Sequence, residues 1–353
     1  MKTTWSLWLV VWSVVMVWGC SENSSPSQHE PSEPTTLYYF TWSDYVDSDI
    51  LANFEATRGV KVVVGTFSSN EELLAKVQTG MTGYDVVAPS DFMAGIMGRL
   101  GLLAELDLHR IPHVQDLEPH LSELPFDPTH RFAIPYLWGT VGIGYNADVV
   151  TEPPTSWEIL WDPRYRGRVS MLNDQREVFG LALRALGYSL NSVDPHEIQQ
   201  AKDKLIAQKP LVKAYTSELF DQLLVSGETV LAHAWGGPVA RAMRERSSIR
   251  YAIPQEGGTI WTDCLAVLAS SNNKALAMDF INYLLEEEVA LLTSQRLLFA
   301  SANRYVRDRL PAEIRDNIAV YPPSDILSRM EWMEDVHEAI RYYDRAWTEL
   351  KVH

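Results

Sequence analysis

Between Leu37 and Ala88 the chain alternates β-prone and helix-prone runs at a spacing that argues for an α/β sheet. Leu37-Tyr38-Tyr39-Phe40 is a short β-prone run, and a helix is predicted over 48–57, ended by Gly59. Val60 to Val64 follows, with β-branched residues in succession as a buried parallel strand shows. Ser69 and Glu72 stand three apart as a capping box, each side chain taking up a backbone N–H at the start of a helix over 71–79, after which comes Gly80. Tyr84 to Ala88 is the third strand. Strand–helix–strand at this spacing puts helices on both faces of a sheet. Similar units recur at 141–145, 168–186, 229–244 and 249–253, helices dominate after 274, and no internal repeat is visible. At ~150 residues per domain, 353 residues suffice for two lobes.

The N-terminus adds a location. A lone Lys2 precedes an apolar stretch over 5–18, Gly19 and Cys20, and residues 21–36 are rich in Ser, Glu and Pro with no large apolar side chain. This pattern reads as a lipoprotein signal over 1–19, cut ahead of Cys20, which takes the lipid, with 20–36 a flexible tether. The apolar stretch is shorter than the ~20 residues of a membrane-spanning helix. Trp18 is bulky where such signals prefer a small residue, so an uncleaved anchor helix is the other reading. Both turn the globular part outward from a membrane surface. With Cys20 lipidated, Cys264 stands alone, which excludes an intramolecular disulfide and a thiolate metal site. The leader carries one charged residue, so its removal takes the formal charge from −16 to −17. Nucleic acid is a poor partner for such a surface, whereas a cationic ligand is drawn to it.

Open α/β sheets bind ligands at the carboxyl ends of their strands. The residues expected there are Trp42-Ser43-Asp44-Tyr45, Ser90-Asp91-Phe92, Asn173-Asp174 with Glu177, Trp235-Gly236-Gly237 and Trp261-Thr262-Asp263. Carboxylates and large aromatics recur together in this set. Asp174 and Glu177 have the spacing of a helix cap as well as of a ligand contact. Trp261 and Asp263, two apart, share one face of an extended segment. His233 beside a strand reads as a satisfied core residue. No His shows metal-ligand spacing, and no phosphate loop, Gly-x-Ser-x-Gly elbow or His-Glu-x-x-His is present.

These residues, within the runs LYYFTWSDYV (37–46), NEELLAKVQTG (70–80), YDVVAPS (84–90), FAIPYLWGTVGIGYN (132–146), REVFGLALRALGY (176–188), IPQEGGTIWTDCLAV (253–267) and FINYLLEEEVA (280–290), resemble the spermidine/putrescine-binding proteins of bacterial polyamine importers. The resemblance implies an α/β, two-lobed periplasmic-binding-protein fold of type II, each lobe a mixed sheet flanked by helices, with ligand in the interlobe cleft. The implied lobes are 37–141 with 262–309, and 142–261 with 310–353. The implied acids are Asp44, Asp174, Glu177 and Asp263, and the implied aromatic wall is Trp42, Phe92, Trp235, Trp261 and Phe299. Ser43, Tyr45, Ser90 and Met333 complete the implied site. Spermidine-type members usually carry Tyr at positions 92 and 299 and Gln at 333, while Ser43-Asp44 and the run 299–303 look closer to putrescine-type members. The implied partners are a polyamine (putrescine or spermidine) and the membrane permease of an ATP-binding-cassette transporter, with no cofactor and no metal.

A polyamine is a flexible hydrocarbon rod carrying ammonium groups, and this inventory suits it. Carboxylates hold the ammoniums, flat apolar walls bury the methylenes at ~0.8 kcal/mol each, and indoles add ~0.5–2 kcal/mol of cation–π attraction. Crowding four acids is expected to raise the pKa of at least one of them through like-charge repulsion. Two readings from other classes stay open: a secreted hydrolase using paired carboxylates, and a surface polyamine sensor without transport.

Overall fold

The computed structural model describes residues 35–43, 45–80 and 83–353. The signal, Cys20 and the tether up to residue 34 lie outside them, and so does Asp44. The described chain forms one curled, mixed sheet of eleven strands with helices on both sides. In chain order the strands are β1 (Thr36–Trp42), β2 (Lys61–Phe67), β3 (Val86–Val87), β4 (Ala133–Asn146) and β5 (Val169–Met171). They continue with β6 (Val212–Tyr215), β7 (Leu231–Trp235), β8 (Ile249–Ala252), β9 (Thr259–Val267), β10 (Ala300–Ser301) and β11 (Glu331–Trp332). The main order is β2-β1-β3-β9-β4-β7-β5-β6, with β8 and β10 on β4 and β11 on β9.

Two long strands hold this sheet together. β4 is buried along all fourteen residues. It pairs antiparallel with β9 through Thr140↔Ile260, then with β7 from Val141↔Trp235 onward. The change of partner at 140–141 joins a half built on parallel β1, β2 and β3 to a half built on parallel β5, β6 and β7.

The local signals act as their chemistry requires. Helix α1 (Ser48–Arg58) starts on Asp47, whose carboxylate accepts from two backbone N–H groups, and stops at Gly59, φ +64°, a left-handed turn that favours glycine. Helix α2 (Asn70–Gln78) has Ser69 as its cap, accepting from the Glu72 N–H. The return bond differs from the expected box: Glu72 accepts from Ser68, one residue further back. β2 is a correction too. It pairs in parallel with β1 but lies at the sheet edge with several half-buried positions, because among the described residues no strand pairs with its outer side. The third strand is only Val86–Val87, since the Asp85 carboxylate takes the Tyr38 N–H that a longer ladder would use (2.9 Å).

Helices α3 (Asp91–Arg99), α4 (Gln175–Ala185), α5 (Pro195–Gln208), α6 (Phe220–Ser226) and α7 (Gly236–Glu245) follow strands or short connections. Helices α8 (Lys274–Leu285), α9 (Glu287–Leu297), the one-turn α10 (Ala312–Arg315) and α11 (Ser324–Leu327), and α12 (Ile340–Val352) complete the chain. Phe280 of α8 packs edge-on against Tyr39 and Phe54 (5.4 and 4.9 Å), anchoring α8 and α1 on the first half. Tyr343 of α12 meets Phe179 of α4 at 5.7 Å, closing the second half.

Candidate functional site

A cavity of about 390 Å³ opens where the two halves meet. β1 ends at its edge and supplies Trp42, followed by Ser43 and the buried Tyr45. Ser90, the cap of α3, and Phe92 in its first turn form the neighbouring wall. Asp174 and Glu177 face them from the start of α4, and Trp235 from the end of β7. Trp261 and Asp263 rise from β9, with Phe299 after α9 and Met333 just beyond β11. Every described residue of the site implied by the resemblance lines this one cavity, whereas Asn173, Gly236, Gly237 and Thr262 of the strand-end set do not; Asp44 lies outside the described residues.

The strand-end rule places β9 wrongly. Trp261 and Asp263 lie inside this antiparallel strand, not after a strand, because its middle crosses from one half of the sheet to the other. Thr259, Trp261 and Asp263 sit at alternate positions, so one face of β9 presents a hydroxyl, an indole and a carboxylate in line. Gly139, opposite Trp261 on β4, makes room for that indole: a Cβ there would meet Cζ2 at 2.7 Å. Gly237 does the same for Phe299, with a Cβ 2.4 Å from Cε1. The rings then pack together, Phe299 lying edge-to-face with Trp261 at 5.7 Å and tilted against Tyr45 at 5.3 Å.

Two carboxylates are buried on either side of the Trp261 position along β9, Asp263 after it and Glu177 against Thr259 before it. Asp263 accepts from the Tyr45 hydroxyl at 2.6 Å and the Ser90 hydroxyl at 3.0 Å. Asn70 orients Ser90, donating from Nδ2 to its Oγ at 3.1 Å and accepting from its N–H at 3.2 Å. The Trp42 indole N–H faces the same carboxylate and helps hold its charge without a formed hydrogen bond. Burial nonetheless pushes the Asp263 pKa up to about 7, the hydrogen bonds opposing it. Glu177 accepts from the Thr259 hydroxyl at 2.7 Å, and burial, then the charge of Asp174, raises its pKa to about 8. Asp174 is both cap and wall, its Oδ1 accepting the Glu177 N–H at 3.0 Å, and burial raises its pKa as well. The acids are thus raised as expected, but loss of water is the leading cause, with repulsion a lesser one at Glu177.

Several cavity residues lie outside the ligand set that the resemblance implies. Asp91, in the first turn of α3, is buried against the cavity, and burial raises its pKa well above the carboxylate range. Residues 217–221 line one rim, with Glu218 and Asp221 adding acids. They follow β6, so the strand-end rule finds them once Val212–Tyr215 is recognised as a strand. Arg241 joins from α7, one turn beyond Pro238 on the same helix face. Arg176 stands behind the site, donating to the Glu334 carbonyl (3.0 Å) and the Asn191 side chain (3.1 Å), which ties α4 to the segment carrying Met333. His233 is buried in β7 as expected, yet among the described residues neither ring nitrogen has a hydrogen-bond partner; burial lowers its pKa to about 3 and keeps it neutral. Cys264 is buried and free.

A curled mixed sheet in two halves, with the ligand-sized cavity between them and acids facing inward, defines a two-lobed solute-binding protein of the type II fold. Residues 49–320 match the model of the bacterial extracellular solute-binding proteins, and the chain belongs to that family. It is 36% identical over 318 residues to the spermidine/putrescine-binding periplasmic protein of Escherichia coli, covering 90% of this chain and 91% of that one. Among solved structures it is similar to the substrate-binding protein of a spermidine/putrescine ABC transporter from Streptococcus pneumoniae, with a TM-score of 0.79 and 31% identity over 90% of this chain and 99% of that one. It is also similar to a Treponema pallidum lipoprotein, with a TM-score of 0.82 and 29% identity over 90% of this chain and all of that one.

Proposed function

We propose that this protein is the extracytoplasmic receptor of a polyamine ABC importer, capturing putrescine or spermidine and handing it to the membrane permease without bond chemistry. The observation that carries the reading is the β9 face, where an indole lies between two buried carboxylate centres, Asp263 and the Glu177–Asp174 pair. A carboxylate raised towards neutrality by burial regains its charge when a cation arrives. A neutral sugar or an anionic ligand gives no such return. Trp42, Trp235 and Phe299 supply apolar faces for the methylenes, and Ser43, Tyr45, Ser90, Phe92 and Met333 fill the spaces between. Asp44 belongs to the proposed ligand set on the resemblance of the run around it.

The lobes proposed are 37–141 with 262–309 and 142–261 with 310–353. The change of partner along β4 at 140–141 and the packing of α12 on α4 support this division. Because acids from both lobes reach one ligand, binding favours the closed arrangement by differential contact. Attachment through a lipid on Cys20 after removal of 1–19 completes the proposal. Its support is the leader pattern and the Treponema relative that is itself a lipoprotein. Among the described residues no helix is long and apolar enough to cross a membrane.

Isothermal titration with putrescine, spermidine, cadaverine and arginine tests the reading. Saturable binding of at least one of the three amines, with arginine markedly weaker, is the expected result. Heats no larger than dilution for every amine would remove it. Mass spectrometry of membrane-extracted protein tests the anchor, which predicts a diacylglyceryl adduct on an N-terminal Cys20.

A further inference from the structure

One cavity residue has the charge of the ligand rather than its complement. Arg241 lines the cavity from α7, its guanidinium carbon 5.9 Å from the centre of the Phe299 ring. Nη1 donates to the carbonyl of Leu297, the last residue of α9, at 3.1 Å, which fixes the group beside Phe299. Among the described residues no carboxylate lies within ion-pair distance of it. Asp221, on the neighbouring α6, feels its charge at longer range, and burial raises the Asp221 pKa while the Gln222 N–H and then the Arg241 charge oppose the rise.

From this placement we infer that Arg241 is a specificity-determining residue, a resident cation at the Phe299 end of the cavity that limits the ligand to two ammonium groups and selects a diamine over a triamine. The inference rests on the polyamine reading above. Among the described residues two ammoniums have their places, at Asp263 and at the Glu177–Asp174 pair, on either side of Trp261 along β9. A third must continue past one of them. Past Asp263 the chain meets Tyr45 and Phe299, and the Phe299 face that would attract an ammonium already has a guanidinium over it. Of the two rim acids, Glu218 and Asp221, Asp221 has Arg241 for its counter-charge. Volume does not make the choice, because a cavity of about 390 Å³ admits either amine; the position of charge does. Arg241 also joins α7 to the end of α9, so a purely structural role is the competing account. That role would weaken all amines alike.

The test is calorimetric titration of the full-length chain with putrescine and with spermidine, for wild type, Arg241→Met, Arg241→Lys and the double variant Arg241→Met/Asp221→Asn. Wild type is expected to bind putrescine at least tenfold more tightly than spermidine. Arg241→Met should raise the ratio of spermidine to putrescine affinity at least tenfold by removing the repulsion and releasing Asp221. Arg241→Lys should keep the wild-type ratio, and Asp221→Asn in the Met background should reverse the gain. A ratio unmoved in Arg241→Met, an Arg241→Lys ratio shifted as far as the Met variant's, or a wild-type preference for spermidine overturns the role of Arg241 while leaving polyamine binding intact. A wild type that binds neither amine overturns both.

Discussion

Glu177 and Asp263 make ligand capture a proton exchange. With folded pKa values of about 8 and about 7, the empty protein at neutral pH holds protons that an arriving ammonium displaces. Binding at pH 7 should release protons, so the apparent enthalpy should differ between phosphate and Tris buffers by an amount proportional to their ionisation heats. Equal enthalpies would show that the acids are already charged. Affinity should rise with pH, by about tenfold per unit for each proton displaced, and level off above pH 8. Asp263→Asn leaves Tyr45 and Ser90 a neutral partner in place of the carboxylate. It should weaken polyamine binding at least tenfold, ~1.4 kcal/mol, and reduce the protons released; an unchanged titration curve would take Asp263 out of the site.

At the scale of elements, β4 and β9 act together, and Gly139 shows how. A side chain at 139 meets a rigid ring, Trp261 Cζ2 at 2.7 Å, so Gly139→Val must drive the indole into the cavity or part the strands. Overpacking of this kind costs ~1–3 kcal/mol. Gly139→Val should therefore lower the melting temperature and weaken polyamine binding at least tenfold. Gly59→Ala is the contrast: it ends α1 at φ +64° with open space around its Cβ, so it should lower stability while leaving affinity within about twofold. If the two variants bind alike, Gly139 does not seat the indole. The same elements explain what could be read beforehand. The helix caps, the β1 and β7 ends and the Trp261–Asp263 pair were legible because each is written in neighbouring residues. The crossing course of β9 was not, since an antiparallel strand buried on both faces carries no end signal at its middle. Asp91 stood among the strand-end candidates but not among the acids that the resemblance implies. The 217–221 rim was hidden because Val212-Lys213-Ala214-Tyr215 is too short and too polar to announce a strand. Arg241 was out of reach because its meaning depends on Phe299, fifty-eight residues later in the chain.

For the whole molecule, the raised acids set how stability varies with pH. In the unfolded chain Glu177 and Asp263 titrate near ~4; in the folded empty protein they titrate near 8 and 7. The folded state therefore binds more protons between those limits, so the contribution of these two groups is fully present below pH 4 and is lost as pH rises through 7 and 8. Self-repulsion of a chain with formal charge −16 acts in the same direction. A bound diamine reverses only the first effect, because it restores the charged form of the two buried acids and leaves the surface as it was. Melting curves at pH 6 and pH 9, with and without saturating putrescine, separate the two. The empty protein should lose several degrees between pH 6 and pH 9, and putrescine should stabilise it more at pH 9 than at pH 6. Equal stabilisation at the two pH values would mean that the acids facing Trp261 are charged before the ligand arrives, and the cavity would then have to draw in its cation by surface potential alone.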